Sequence, residues 1–311
     1  MTAMNDPTIN PHASRRQAGE GEETGAPILP GAAVYLFLSI DMANSTAFKG
    51  TEPRWPFVIH NFYEDVVAEI RGVCPRFNVW KYIGDEVTFW RRMEPSDDLG
   101  RLVADSYGAL QRIGAKLDAL EDLHRIRTRN VIGAKATIWA AAAEHVGQAN
   151  IGRDLERNYE HPNRIIEEEH IIALRSEGTS DQLKLYDFIG PDIDIGFRIS
   201  HFAHQGLLLV GAGLAYLLCR DKGKHAVDRR MRIVSFEHLK GVWNDRPYPI
   251  IWYTDDWTDV ADKFHYDERW SNPIVAAVLR QEHEDVAAIE TILRHTNRLA
   301  AMAAMQHLLQ A

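Results

Sequence analysis

The chain has 311 residues, 45% of them hydrophobic, so it can bury a full core and is longer than one typical domain. A formal net charge of −9 argues against a general nucleic-acid binder, and the most apolar window, Gly206 to Cys219, is too short to span a bilayer. Two cysteines, Cys74 and Cys219, lack metal-ligand spacing and imply no disulfide framework, which makes the reducing cytoplasm the expected compartment.

Residues 1–30 carry Arg15-Arg16 and a Gly-Glu-Gly-Glu-Glu-Thr-Gly run without an apolar stretch, and read as a disordered leader rather than a signal peptide. Val34 to Ile40 is apolar apart from Ser39 and too short for a stable helix, so it reads as a strand buried on both faces. Asp41 sits where that strand leaves the core. The small polar residues after it can turn successive backbone N–H groups towards a phosphate, and Asn44 tolerates the left-handed conformation such a turn needs.

A helix is expected around 55–71, then a hairpin over 77–91 whose tip is Gly84-Asp85, a turn signal with glycine first. If the hairpin packs beside the first strand, Asp41 and Asp85 converge on one sheet edge. Oxygen ligands of this kind suit Mg²⁺ or Mn²⁺, and two such ions about 3.5–4 Å apart can activate an attacking oxygen and stabilise a leaving one. Ser96-Asp97-Asp98 caps a helix over about 97–122, and a strand follows at 131–140. Residues 144–180 read as a polar insertion whose Glu167-Glu168-Glu169 run is a solvated face.

Downstream, Tyr186 to Ser200 holds Asp187, Asp194 and Arg198. A helix starting after Pro191 puts Asp194 and Arg198 on one face, either as an ordinary i,i+4 ion pair or with Arg198 free to reach a phosphate. The pattern then offers a helix over 193–204, a strand from 207, a helix to Cys219, and strands near 230–236 and 249–254. This order suits a ferredoxin-like α+β sandwich. His201 and His204 have i,i+3 spacing without a carboxylate motif and are read as structural. Two helical patterns close the chain, with Ile274, Val275 and Val278 in the first and Ile289, Leu293, Met302 and Met305 in the second.

In this order and spacing, the Asp41, Gly84-Asp85-Glu86 and Asp187 to Arg198 motifs resemble the catalytic domain of the class III nucleotidyl cyclases, from about Val34 to Tyr253. The resemblance implies metal ligands at Asp41, the Met42 carbonyl and Asp85, for two Mn²⁺ or Mg²⁺ per site. It also implies base reading by Lys81 and Asp187, ribose orientation at Asp194, and transition-state stabilisation by Arg198. Ala43, Asn44, Ser45 and Thr46 fall in its phosphate loop, although Asn44 stands where glycine is usual and Asp194 where asparagine is usual. Lys240 and Arg246 lie where the family has a basic triphosphate contact. Three regions follow: a leader over 1–30, a catalytic domain over 31–255, and a helical extension over 256–311.

Within the family, the Ser45 to Lys49 run, Trp55, Phe62-Tyr63 and the Lys81 to Glu86 hairpin look like those of the bacterial pyrimidine cyclases of Pycsar antiphage systems. The class III resemblance implies a homodimer with composite sites, and the closer likeness implies a UTP or CTP substrate with UTP favoured and a cyclic pyrimidine messenger acting on a separate effector. The net charge and the short apolar window lead to the expectation of no nucleic-acid partner and no membrane. Lys81 and Asp187 are equally compatible with adenine, so an adenylate cyclase stays open, as does an inactive nucleotide-binding regulator. A smaller base requires the purine half of the pocket to be filled, with Phe48, Tyr82 and Trp55 as candidates and core packing as their alternative.

Overall fold

The computed structural model describes residues 31–146, 162–168, 185–220, 230–266 and 288–310. Strand β1 (Ala32–Ala43) leads through the short helix α1 (Ser45–Thr51) and α2 (Trp55–Val73) to a hairpin of β2 (Asn78–Ile83) and β3 (Glu86–Arg92). Helix α3 (Leu99–His124) and β4 (Gly133–Val146) complete a β-α-β-β-α-β unit with strand order β2-β3-β1-β4 and antiparallel pairing throughout. That is the ferredoxin-like α+β arrangement. The Asp98 side chain caps α3 by accepting the Arg101 N–H at 2.9 Å.

The long β4 has an outer edge shared by two neighbours. Near its start it pairs in parallel with β7 (Leu208–Val210), and near its end with β5 (Asn163–Glu168). β7 continues the sheet to β9 (Pro247–Tyr253) and β8 (Met231–His238), while β5 carries β6 (Leu185–Ile189) as a wing off the main path. Helix α4 (Pro191–Ile199) follows β6, and α5 (Ala212–Arg220) follows β7. Helices α6 (Trp257–Tyr266), α7 (Ile289–His295) and α8 (Leu299–Gln310) end the described chain.

Alternation along β1 sorts the two faces of the sheet. Val34, Leu36, Leu38, Ile40 and Met42 join α2, α3, α5, α7 and α8 in one large, mostly aliphatic core. Tyr35 and Phe37 join Trp90, Trp139, Ile165, Phe188 and Ile193 in a smaller, aromatic core on the opposite face. The wing curls over this second face: Phe188 of β6 packs edge-on to Tyr35 and Phe37 and against Trp90. Gly196 lets α4 sit directly on the Trp139 ring, where any Cβ would collide.

Several expectations are corrected. The segment 144–180 contains β5, which pairs with both β4 and β6. The expected helix over 193–204 begins at Pro191 and ends at Ile199, with a 3₁₀ turn over Ser200–Phe202. The last helical pattern is two helices, α7 and α8, with Ile289, Leu293, Met302 and Met305 all buried. Helix α6 falls in the expected helical extension, ahead of its two apolar patterns. The leader and the pattern around Ile274, Val275 and Val278 lie outside the described residues.

Candidate active site

Strand register builds the site in rows on the aromatic face. Phe37 lies between Trp90 and Trp139, Ser39 between Thr88 and Thr137, and Asp41 between Glu86 and Lys135. The middle row is buried and polar. Thr88 accepts the Lys81 N–H at 3.0 Å and donates to the Lys81 carbonyl, while Ser39 donates to Glu86. The last row ends the strand with a charge triplet, in which Lys135 Nζ lies 3.1 Å from Asp41 Oδ2.

Asp85 follows Gly84, whose φ of 65° is the left-handed turn that glycine supplies without strain. The Tyr63 hydroxyl of α2 donates to the Gly84 carbonyl and pins this turn. Lys49, from α1, donates to Asp85 Oδ1 at 2.8 Å. The Asp41 and Asp85 carboxyls come within hydrogen-bonding reach of each other. Burial pushes Asp41 up from the ordinary carboxylate range against the opposing pull of Lys135. Burial also acts upward on Asp85, but hydrogen bonds from Lys49 and Ser45 outweigh it and hold Asp85 below that range. Glu86 is raised by burial, opposed by its bond from Ser39.

Asn44 adopts the left-handed conformation, φ 61° and ψ 17°, and starts α1. The N–H groups of Ser45, Thr46 and Ala47 therefore open the helix without intrahelical acceptors, beside the carboxylate pair. Phe48, 2% exposed, takes the core-packing alternative in place of the pocket role: its side chain lies in the main core. Trp55 and Tyr82 are exposed, and Tyr82 faces Tyr63 at 5.1 Å.

The second cluster is set by a β-bulge. Val79 pairs with Phe89 and Lys81 with Thr88, so Trp80 is an extra residue that the ladder skips. Trp80 and Lys81, adjacent in sequence, consequently both serve the aromatic face. Trp80 packs on Phe37, Phe188 and Phe197, and the Lys81 ammonium lies 4.9 Å from the Trp80 ring. Lys81 Nζ approaches Asp187 Oδ1 at 2.6 Å, bringing together two residues 106 positions apart through the curled wing.

Asp194 and Arg198 lie exposed on α4, and the anticipated i,i+4 ion pair between them is not formed. Arg198 Nη1 instead donates to the Lys240 carbonyl at 2.7 Å. No hydrogen bond or ion pair joins either residue to the two clusters among the described residues. Arg246 donates to the His295 carbonyl at 3.0 Å, which ties the last strands to α7. The loop between carries three successive left-handed residues, Trp243, Asn244 and Asp245, with Trp243 buried against Tyr248. The residues missed from sequence are Lys49, Lys135 and Trp80. Only register places Lys135 opposite Asp41, and only the bulge turns Trp80 inward.

The donor set fits divalent cations. Asp41, Asp85 and Glu86 face two ammonium groups, Lys49 and Lys135, so with all of them ionised this edge carries one more negative charge than positive. Among the described residues no group of three or more His, Cys, Asp or Glu side chains forms a complete cage. Mg²⁺ commonly takes one or two carboxylates and completes its shell with water and substrate phosphates, which suits Asp41, Asp85 and the Met42 carbonyl.

Among the described residues no helix is long and apolar enough to cross a membrane. No protein-family model matches the chain, and no curated protein does. Among solved structures it is similar to the adenylyl cyclase CyaB from P. aeruginosa, at 11% identity over 74% of this chain and 97% of that one, with a TM-score of 0.49. It is similar to an adenylate cyclase from Trypanosoma brucei at 13% identity, 73% and 92% coverage and a TM-score of 0.48. The guanylyl cyclase Cya2 gives 13% identity, 73% and 93% coverage and a TM-score of 0.45. At such identities residue roles do not transfer.

Proposed function

We propose that the protein is a nucleotidyl cyclase of the class III type, converting a nucleoside triphosphate into its 3′,5′-cyclic monophosphate and pyrophosphate, with UTP or CTP as substrate. The observation that carries this reading is the meeting of Asp41 and Asp85 at one sheet edge, beside the left-handed turn at Asn44. Mn²⁺ or Mg²⁺, two per site, held by Asp41, Asp85 and the Met42 carbonyl, would acidify the ribose 3′-hydroxyl and neutralise the leaving pyrophosphate.

The chain's own groups position the nucleotide, and positioning is most of the catalysis in phosphoryl transfer. Backbone N–H groups of Ala43, Asn44, Ser45 and Thr46 receive the triphosphate. Lys81 donates to a ring acceptor of the base, and Asp187 accepts from a ring N–H or amino group. Asp194 orients the ribose, and Arg198 stabilises charge on the α-phosphoryl group. Among the described residues Asp194 and Arg198 make no hydrogen bond or ion pair to the carboxylate pair, in keeping with a homodimer in which Asp41 and Asp85 of one subunit face Lys81, Asp187 and Arg198 of the other in two composite sites.

The pyrimidine assignment rests on the motif resemblance of the Ser45 to Lys49 run and the Lys81 hairpin. It carries with it a cytoplasmic messenger acting on a separate effector in antiphage defence. An adenylate cyclase is the second reading, because the Lys81–Asp187 pair also matches the ring acceptor and amino donor of adenine. Incubation with ATP, GTP, CTP and UTP separately, in Mn²⁺ and Mg²⁺, with products resolved by mass spectrometry, tests both. Cyclic UMP or cyclic CMP supports the proposal, cyclic AMP alone supports the second reading, and no product with any nucleotide overturns both.

A further inference from the structure

The Lys81–Asp187 pair has a third member. The Trp80 indole N–H donates to Asp187 Oδ1 at 3.2 Å, and the Phe188 backbone N–H donates to the same oxygen at 2.9 Å. Lys81 Nζ also approaches Oδ1, at 2.6 Å. Three donors thus converge on one carboxylate oxygen, while Oδ2 takes no hydrogen bond among the described residues. Trp80 is half-buried, and its ring is wedged among Phe37, Phe188 and Phe197, so its N–H direction is fixed by packing.

We infer that Trp80 is the positioning residue for base recognition: by holding Oδ1 of Asp187, it leaves Oδ2 as a single, directed acceptor for an N–H of the base. This rests on the reading of Lys81 and Asp187 as the base-contacting pair. Without the indole N–H, the carboxylate keeps Lys81 and the Phe188 N–H but loses the lateral donor that resists rotation about its Cβ–Cγ bond. Discrimination among bases then weakens even though the charged pair remains.

The same geometry dictates what an amide would do. In Asp187→Asn the side-chain oxygen stays on the Trp80 and Phe188 donors, which forces the NH₂ group into the Oδ2 position. Lys81 and this NH₂ would then present two adjacent donors. Cytosine, with its ring nitrogen beside its carbonyl oxygen, is the base that answers with two adjacent acceptors on its Watson–Crick edge.

The test uses the full-length protein and the four 3′-deoxynucleoside triphosphates, which lack the attacking hydroxyl and are bound without being consumed. Dissociation constants are measured for the wild type, Trp80→Phe, Asp187→Asn and the double variant. Trp80→Phe keeps an aromatic ring and should weaken the preferred nucleotide by about tenfold, the scale of one hydrogen bond to a charged group, and flatten the ratios among the four bases. In turnover, KM should rise while kcat changes little. Asp187→Asn should move the preference to the cytidine nucleotide, and the double variant should lose that move.

Unchanged base ratios in Trp80→Phe overturn the inference, as does a cytidine preference in Asp187→Asn that survives in the double variant. If Trp80→Phe fails to fold, the outcome is decided by Asp187→Asn alone: no move to cytidine overturns the inference. A wild type that makes cyclic nucleotide while Trp80→Phe keeps its ratios breaks the inference and spares the cyclase reading. A wild type that discriminates the four analogues through Trp80 yet makes no cyclic nucleotide does the reverse.

Discussion

The two charged clusters on the aromatic face are built in opposite ways: Asp187 draws three donors onto one oxygen, whereas Asp41 and Asp85 crowd together with one lysine each. The first arrangement is electrostatically closed and directional, and it suits the reading of an edge. The second, once Glu86 beside Asp41 is counted, is short of one positive charge and suits the recruitment of a cation. In the second cluster burial raises Asp41, while burial of Asp85 is outweighed by hydrogen bonds from Lys49 and Ser45 that hold it down.

The strongest way to break this contrast is Asp85→Asn, together with Asp41→Ala. Each should lower product formation by about a thousandfold or more while circular dichroism and gel-filtration mass stay unchanged, since the site depends on electrostatic stabilisation. Unchanged turnover in both variants would remove the metal assignment. Mn²⁺ should also raise the melting temperature of the wild type. At a hundredfold excess over its dissociation constant, one bound ion is worth about 2.7 kcal/mol, a shift of a few degrees. Asp85→Asn should abolish that shift and Lys81→Met should keep it; a shift lost equally in both would merge the two clusters.

Lys49→Met should tighten Mn²⁺ binding without nucleotide by about fivefold, because the ammonium competes for Asp85 in a partly buried pair worth on the order of 1 kcal/mol. Calorimetric titration reads this directly. The pH dependence has a defined sign. Burial favours the protonated Asp41 in the folded state, so below about pH 4 the group is protonated in both states and costs nothing; as pH rises above that value, the folded state must give up a favoured proton. Asp41→Asn should therefore melt higher than the wild type near neutral pH, with the gap closing on acidification. The smallest effect belongs to Tyr82→Ala: the ring is 53% exposed, and removing it should change stability by less than about 1 kcal/mol in denaturant titration.

Much of this architecture is legible in the chain. The apolar run of β1, the glycine-first turn at Gly84-Asp85 and the cap at Asp98 are local signals, and each element forms where its residues indicate. The features that were missed are non-local. Lys135 carries no local signal, and only the twelve paired positions between β1 and β4 place it opposite Asp41. β5 was lost because Asn-Arg-Ile-Ile-Glu-Glu has little apolar content and depends on β4 and β6 for its pairing. For Phe48 the sequence leaves a pocket plug and core packing both open, and one turn of α1 carries it into the core.

The skipped residue in β2 also has a consequence for how such chains diverge. Loss of Trp80 would leave Val79 opposite Phe89 and Lys81 opposite Thr88, a regular ladder with every other pairing retained. A single in-frame codon deletion could therefore strip the support from Asp187 without unpicking the hairpin, and a single insertion could restore it. Substrate choice would then change by indel rather than by substitution. In an alignment of related chains its trace would be a one-residue gap immediately before the lysine, easily mistaken for an alignment error.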